Sequence, residues 1–203
     1  IPKFAVAMLP YVTIPTHRPT GSGIELRTEG VHPWDADMRL VATLGERLSD
    51  AQAVGETGLV FVLGPSRELQ TEALRAQLRL ARERGLPVVL HCVRAFEPLM
   101  RELAACEPRA VIFHGFIGSP EQARRALAKG YFLSFGERAF ASPKTLAALR
   151  ETPLSQLFLE TDDSPVPIEE IYARAAEARG VPTEVLQRAT LANYERIFET
   201  RHG

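Results

Sequence analysis

Glu56, His91, His114 and Asp162 are side chains that bind divalent ions or move protons, and each stands at the end of a short apolar run. Ala51–Val54 leads to Gly55-Glu56, Val88–Leu90 to His91, Val111–Phe113 to His114, and Leu157–Leu159 to Glu160-Thr161-Asp162-Asp163. Such runs are what buried parallel strands look like. In α/β barrels the chemistry gathers at the C-terminal ends of such strands. A catalytic metal site needs three or four protein ligands and an open position. Glu56 suits a bridge between two ions, His91 and His114 suit a shared ion, and Asp162 suits a ligand, a general base towards water, or both. Each residue alone has an ordinary explanation: a strand-end histidine bonded to a carbonyl, an aspartate capping a turn. Together, on separate strand ends, they point to a metal centre.

The intervening sequence supplies elements that would present these residues. Phe4–Ile14 reads as a strand interrupted at Pro10, and Ile24–Arg27 as a weak second strand after the Pro19–Gly23 loop. Asp37 is placed to cap a helix reaching about Leu48. Ser66 starts the clearest helix, with Leu69, Ala73, Ala76 and Leu80 on one face and Gly85 at its stop. Its arginines read as a solvated face. A helix over about Ala95–Ala105 follows His91. Ser119-Pro120-Glu121-Gln122 is a capping box with proline at the first helical position, and Ser142-Pro143 repeats the serine–proline start. Tyr131–Phe135 is a further strand, and Pro167–Arg179 and Thr183–Thr200 are helical. About seven strands alternate with helices, which predicts a parallel α/β protein. Ligand candidates end nearly every strand, so a closed TIM-type barrel, shortened or distorted, fits better than an open sheet with one switch point. Residues 1–203 are expected to form a single domain.

Composition sets bounds. A net charge of −1 over 203 residues excludes a strongly basic nucleic-acid-binding module but not an enzyme that meets phosphates locally. Cys92 and Cys106 form no CxxC and are expected to be reduced thiols in a cytoplasmic protein. No apolar run is long enough to cross a membrane. Ile1–Val12 lacks a basic start and a cleavage site, so it reads as structure rather than a signal peptide. No glycine-rich phosphate loop is present.

The motifs GVHPW (30–34), GETGL (55–59), PVVLHCVRA (87–95), FHGFIGS (113–119), GYFLSFGE (130–137), LFLETDDSP (157–165) and NYERIF (193–198) resemble those of the TatD-like metal-dependent hydrolases, or TatD DNases. The resemblance runs in order over about residues 30 to 200, and the short chain is similar to a compact branch. It implies a TIM-type barrel, one to three divalent ions and phosphodiester hydrolysis, with exonuclease action on DNA. The family's ligand pattern is a first-strand HxH, then Glu, His, His and Asp. It maps onto Glu56, His91, His114 and Asp162, with His17 as the second histidine of the first pair. Pro15 stands at the first position and has no ligand atom, so the ion held by that pair is expected to be weaker or absent. Gly58-Leu59-Val60 also replaces the family's GLD.

The expected function is therefore divalent-metal-dependent hydrolysis of phosphodiesters, with one or two ions (Zn, Mn, Mg or Ni, Fe being a further candidate) and DNA or a small phosphodiester as substrate. Asp162 is the expected proton acceptor. His32 and Arg94 are candidate substrate contacts, with Arg18 a weaker one, and Glu160 is placed to orient a ligating histidine. Asp163 reads as a cap or loop residue, and His202 is set aside. No obligate protein partner and no membrane association are expected. The alternatives are a hydrolase of another small ester or amide on the same barrel, and a family member that has lost catalysis and serves as a binding module.

Overall fold

A computed structural model describes residues 8–199. Phe4–Ala7 of the expected first strand, Thr200 of the last helix and His202 lie outside the described residues. The strands are β1 (Val12–Thr13), β2 (Ile24–Glu25), β3 (Thr28–Glu29), β4 (Ala53–Val60), β5 (Val88–Val93), β6 (Val111–Phe113), β7 (Phe132–Phe135) and β8 (Leu157–Leu159). Strands β3 to β8 pair in sequence order, and every recorded pairing is parallel. On the other side β1 pairs with β2, and the Ile14 N–H donates to the Leu159 carbonyl at 3.1 Å. β2 and β3 lie along one stave, so the ring closes with seven staves, as the strand count of the sequence predicts. The structure has the layout of a TIM-type barrel.

Helices α1 (Met38–Arg47), α2 (Arg67–Arg84), α3 (Phe96–Cys106), α4 (Pro120–Ala128) and α5 (Pro143–Glu151) connect successive strands from β3 to β8, and α6 (Ile168–Arg179) and α7 (Thr183–Tyr194) follow β8. Between β1 and β2 there is only a loop rich in proline and glycine, which is where the barrel is shortened. The caps are those the sequence predicts. Asp37, Ser66, Ser119 and Ser142 each accept a first-turn N–H, Ser119 and Gln122 form a full capping box, and Gly85 takes the left-handed conformation that ends α2.

Two apolar layers follow from the strand period of two. Val12, Ile14, Leu26, Ala53, Val89, Ile112, Phe132 and Phe158 fill the barrel interior, closed at one end by Tyr194 and Ile197. Their neighbours Val54, Val88, Leu90, Val111, Phe113, Leu133, Leu157 and Leu159 pack outwards against the helices. Tyr172 anchors the short β1: its buried hydroxyl donates to the Val12 carbonyl at 2.7 Å and accepts the Val12 N–H at 3.2 Å. Asn193, from the NYERIF motif, donates to the carbonyls of Leu154 and Leu157, fixing α7 under β8.

Two expectations need correction. The strand begun at Ala51–Val54 does not stop before Glu56: β4 runs from Ala53 to Val60, and all eight residues are buried. The buried face of α2 is centred on Gln70, Ala73, Leu74, Gln77, Leu78 and Ala81, while Leu69 and Leu80 are only partly buried. The helix is turned because the two glutamines bond to backbone it must cover. Gln70 accepts the Val60 N–H and donates to the Val60 carbonyl, and Gln77 does the same with Val31.

Candidate metal centre

The polar cluster is the next layer above the apolar plug. His91 follows Val89 by two residues, His114 follows Ile112, and Glu160 follows Phe158, so each points into the barrel from the same face as the core residue below it. Asp162 is one more such step along, just beyond β8. Glu56 needs a different device. Strict alternation would put it on the outward face with Val54. The β4–β5 register shifts between Val54 and Thr57, which turns Glu56 inward. Gly58 lets β4 stay close to β5 afterwards. Its φ is +143°, and a Cβ there would overlap the His91 carbonyl.

His17 arrives through the backbone. Thr16 and Asp162 form a parallel bridge, in which the Asp162 N–H donates to the Pro15 carbonyl at 3.2 Å and the His17 N–H to the Asp162 carbonyl at 2.8 Å. Pro15 brings no imidazole, but its carbonyl helps hold Asp162 in its left-handed conformation, φ 51°.

Glu56 is the hub. Its Oε1 lies 2.8 Å from His17 Nε2, and its Oε2 lies 3.1 Å from His114 Nε2 and 3.9 Å from His32 Nε2. His17 Nε2 is also 3.4 Å from Asp162 Oδ1, and His91 Nδ1 is 3.0 Å from His114 Nε2. Behind them, fully buried Glu160 accepts from His114 Nδ1 at 3.2 Å and from the Gly115 N–H. That contact fixes the His114 proton on Nδ1 and aims Nε2 at Glu56.

The electrostatics belong to a site short of positive charge. Burial pushes the Glu56 carboxyl up, but the hydrogen bond and charge of His114, with the charges of His17 and His91, outweigh it and hold the pKa at about 2. Burial pushes His114 down, yet Glu160 and Glu56 on either side raise it well above the usual imidazole value. His91 is lowered to about 4, by burial first and then by His114. Burial raises Asp162 and Glu160.

These residues fit a divalent ion. Metal–nitrogen bonds of about 2.0–2.1 Å bring neighbouring donors to roughly 3 Å from one another, the spacing of His114 from both His91 and Glu56 here. Glu56 Oε1 is buried and accepts no hydrogen bond despite its closeness to His17, leaving a lone pair for a cation. His17, Glu56 and Asp162 form one donor set, and His114, Glu160 and Asp162 another; His114 also links Glu56 to His91 through its Nε2. His32 is close enough to count with Glu56 and His91 as a third, but its chemistry argues otherwise. Its Nδ1 accepts the Trp34 N–H at 3.1 Å, so the proton of the neutral ring sits on Nε2, which has no lone pair to offer. Burial, the largest influence on it, lowers the His32 pKa. Its Nε2–H is a donor aimed into the site.

A cavity of about 1200 Å³ opens on the β5–β8 side, lined by His91, Asp162, Arg94, Arg138, Lys144 and Phe116 among others. Among the described residues Arg94, Arg138 and Lys144 have no carboxylate partner. Arg94 takes a left-handed backbone, φ 53°, at the end of β5. Asp163 lines the same cavity from the loop before α6, whose N-cap is Pro167. Arg18 is exposed and does not line the cavity. Sequence reasoning missed Arg138 and Lys144. Arg138 follows the β7 motif GYFLSFGE, and a search for cations just past each strand end would have found it; Lys144 lies in the first turn of α5.

The family model of the TatD related DNases matches residues 26–199 of this chain. The uncharacterized metal-dependent hydrolase YjjV of Escherichia coli K12 is 32% identical over 177 residues, covering 79% of this chain and 68% of its own. A protein of Cronobacter sakazakii named 3′-5′ ssDNA/RNA exonuclease TatD is 32% identical over 204 residues, covering 84% and 76%. The crystal structure of the Escherichia coli K12 TatD homologue YjjV superposes with a TM-score of 0.77 at 29% identity, over 85% of this chain and 76% of that one. With a barrel of the same form and a match over most of its length, the chain belongs to the TatD related DNase family of metal-dependent hydrolases.

Proposed function

We propose that this chain, as a single domain, hydrolyses phosphodiester bonds of nucleic acid with one or two divalent ions held by Glu56, His91, His114, Asp162 and His17. The observation that carries the reading is the Glu56 carboxylate, whose Oε1 faces His17 and whose Oε2 faces His114, with Oε1 accepting no hydrogen bond. Imidazoles on both sides favour Zn or Ni over Mg. A bound ion supplies Lewis-acid polarisation of the phosphoryl group and a lowered pKa for water. The chain's own residues do the rest. Asp162, part-buried at the mouth of the cavity, takes the proton of the attacking water. Glu160 holds His114 in one tautomer. His32 donates its Nε2–H to a phosphoryl oxygen, and Arg94, Arg138 and Lys144 line the path of the flanking phosphates. No helix among the described residues is long and apolar enough to cross a membrane. We place the protein in the cytoplasm, without an obligate protein partner.

The test is hydrolysis of a chromogenic phosphodiester and of a labelled oligonucleotide by EDTA-stripped protein, with Zn, Mn, Ni or Mg restored. Hydrolysis of both should return with metal, and Asp162→Asn should lose at least about 100-fold in kcat while retaining the fold. Metal-dependent cleavage of a carboxyl ester but of no phosphodiester would favour the other hydrolase. An inert protein would favour a binding module.

A further inference from the structure

Trp34 is the sole tryptophan of the chain and is 56% exposed. An exposed indole is ordinarily a poor use of a large apolar surface, and the backbone that carries this one is tied down by hydrogen bonds. Its backbone lies in a 3-10 turn, Pro33–Asp35, capped by His32 through the Trp34 N–H. The turn is pinned from below by Gln77, which bonds both polar groups of the Val31 backbone. The loop after β4 packs beside it. A Cβ built on Gly64 would lie 3.7 Å from both the Trp34 Cα and the indole Cδ1, so this loop passes close to the indole, and the neighbouring Val62 and Leu63 are 52% and 68% exposed. The result is exposed apolar surface close to the indole, with exposed Asp35 next to it in the chain.

That surface is continuous with the metal centre. The indole meets the His32 ring edge-on at 5.8 Å between centroids, and the His32 ring lies 4.6 Å from that of His91. His32 in turn points its Nε2 at Glu56, 3.9 Å away. The cationic cavity opens on the β5–β8 side of the cluster, whereas Trp34 stands on the β3–β4 side. A polyanion running from the cavity across Glu56 would therefore bring its next residue to the indole. What an uncharged aromatic plane can hold there is a flat aromatic group, and in a nucleic acid that is a base.

We propose that Trp34, flanked by Val62 and Leu63, is the stacking platform for the nucleobase next to the scissile phosphate. The proposal rests on the nucleic-acid reading above. Stacking on a π-face accepts every base, so the platform gives affinity without sequence preference. Trp34 acts as a binding residue, while His32 between it and Glu56 handles the phosphate.

Because Trp34 is the sole tryptophan, its emission reports this position alone. The probe is a phosphorothioate-linked single-stranded oligonucleotide, titrated into the metal-loaded protein, against an abasic strand of equal length and charge. The base-containing strand should quench the emission and bind roughly tenfold more tightly than the abasic strand by anisotropy of an end label. Trp34→Ala should bring the two strands to the same affinity, and Trp34→Phe should restore most of the difference. Equal quenching by both strands, or an unchanged difference in Trp34→Ala, would overturn the proposal. If Trp34→Ala fails to fold, the wild-type quenching and the Trp34→Phe variant still decide. Hydrolysis of the chromogenic diester is scored separately. If it is absent while the base-dependent quenching persists, the catalytic reading fails and the platform stands.

Discussion

Replacing Glu160 by glutamine changes one atom and should separate metal binding from folding. Glu160 is fully buried and accepts twice, from the Gly115 N–H and from His114 Nδ1. A glutamine keeps the shape but has one acceptor and one donor end. The Gly115 N–H can only donate, so it claims the amide oxygen. The NH2 then faces His114 Nδ1, which must become an acceptor. The imidazole proton moves to Nε2, where it still finds Glu56 Oε2 at 3.1 Å. Every polar group stays paired, so the metal-free variant should unfold in urea within about 1 kcal/mol of wild type. The nitrogen aimed at the ion, however, now carries a proton. Losing an orienting partner of a ligating histidine costs about 10- to 100-fold in metal affinity, or roughly 1.4–2.7 kcal/mol. Competition with a chromogenic chelator reads that loss directly. Glu160→Ala is the control: it strands both donors and should lower unfolding free energy by about 2–5 kcal/mol. A Glu160→Gln variant that binds Zn or Mn as tightly as wild type would refute the argument that His114 ligates through Nε2.

Two further predictions concern the scaffold and the pH response. Gln70→Leu leaves the buried Val60 N–H, now bonded at 2.8 Å, without a partner and should lower unfolding free energy in urea by about 2–3 kcal/mol; no change would mean β4 relaxes to find water. The pH effect comes from His91, whose pKa falls to about 4 in the folded, metal-free protein, burial being the main cause, against 6.5 as its ordinary value. As pH drops below about 6.5 the unfolded chain binds the proton first, so the stability His91 confers is full above that pH and is lost towards pH 4. Urea unfolding of EDTA-stripped wild type and His91→Gln should show wild type losing ground to the variant between pH 7 and 4.5. A pH-independent difference would contradict the buried, neutral His91.

How much of this was legible in the sequence depended on whether a residue's role is set locally. Caps were readable because Ser66, Ser119 and Ser142 bond within their own first turn. His91, His114 and Asp162 were readable because regular strand alternation carries them above Val89, Ile112 and Phe158. Glu56 was found for its type, but the strand around it was cut short. Its inward turn comes from a register shift against β5, a pairing no local pattern encodes. Gln70 and Gln77 were hidden for the same reason. A glutamine on a helix looks solvated until the strand and turn it clamps are known. The bond between Pro15 and Asp162 likewise joins residues far apart in sequence, and it shows that the position lacking its histidine still works through its backbone.

The account turns on Glu56 as the shared ligand of a divalent ion, and metal titration tests it most directly. EDTA-stripped wild type and Glu56→Ala would be titrated with Zn and with Mn by calorimetry, with circular dichroism to confirm that both are folded. Wild type should take up about one or two equivalents with saturation, and folded Glu56→Ala should bind neither ion over the same range. Equal uptake by the two proteins, or none by wild type, would contradict the account.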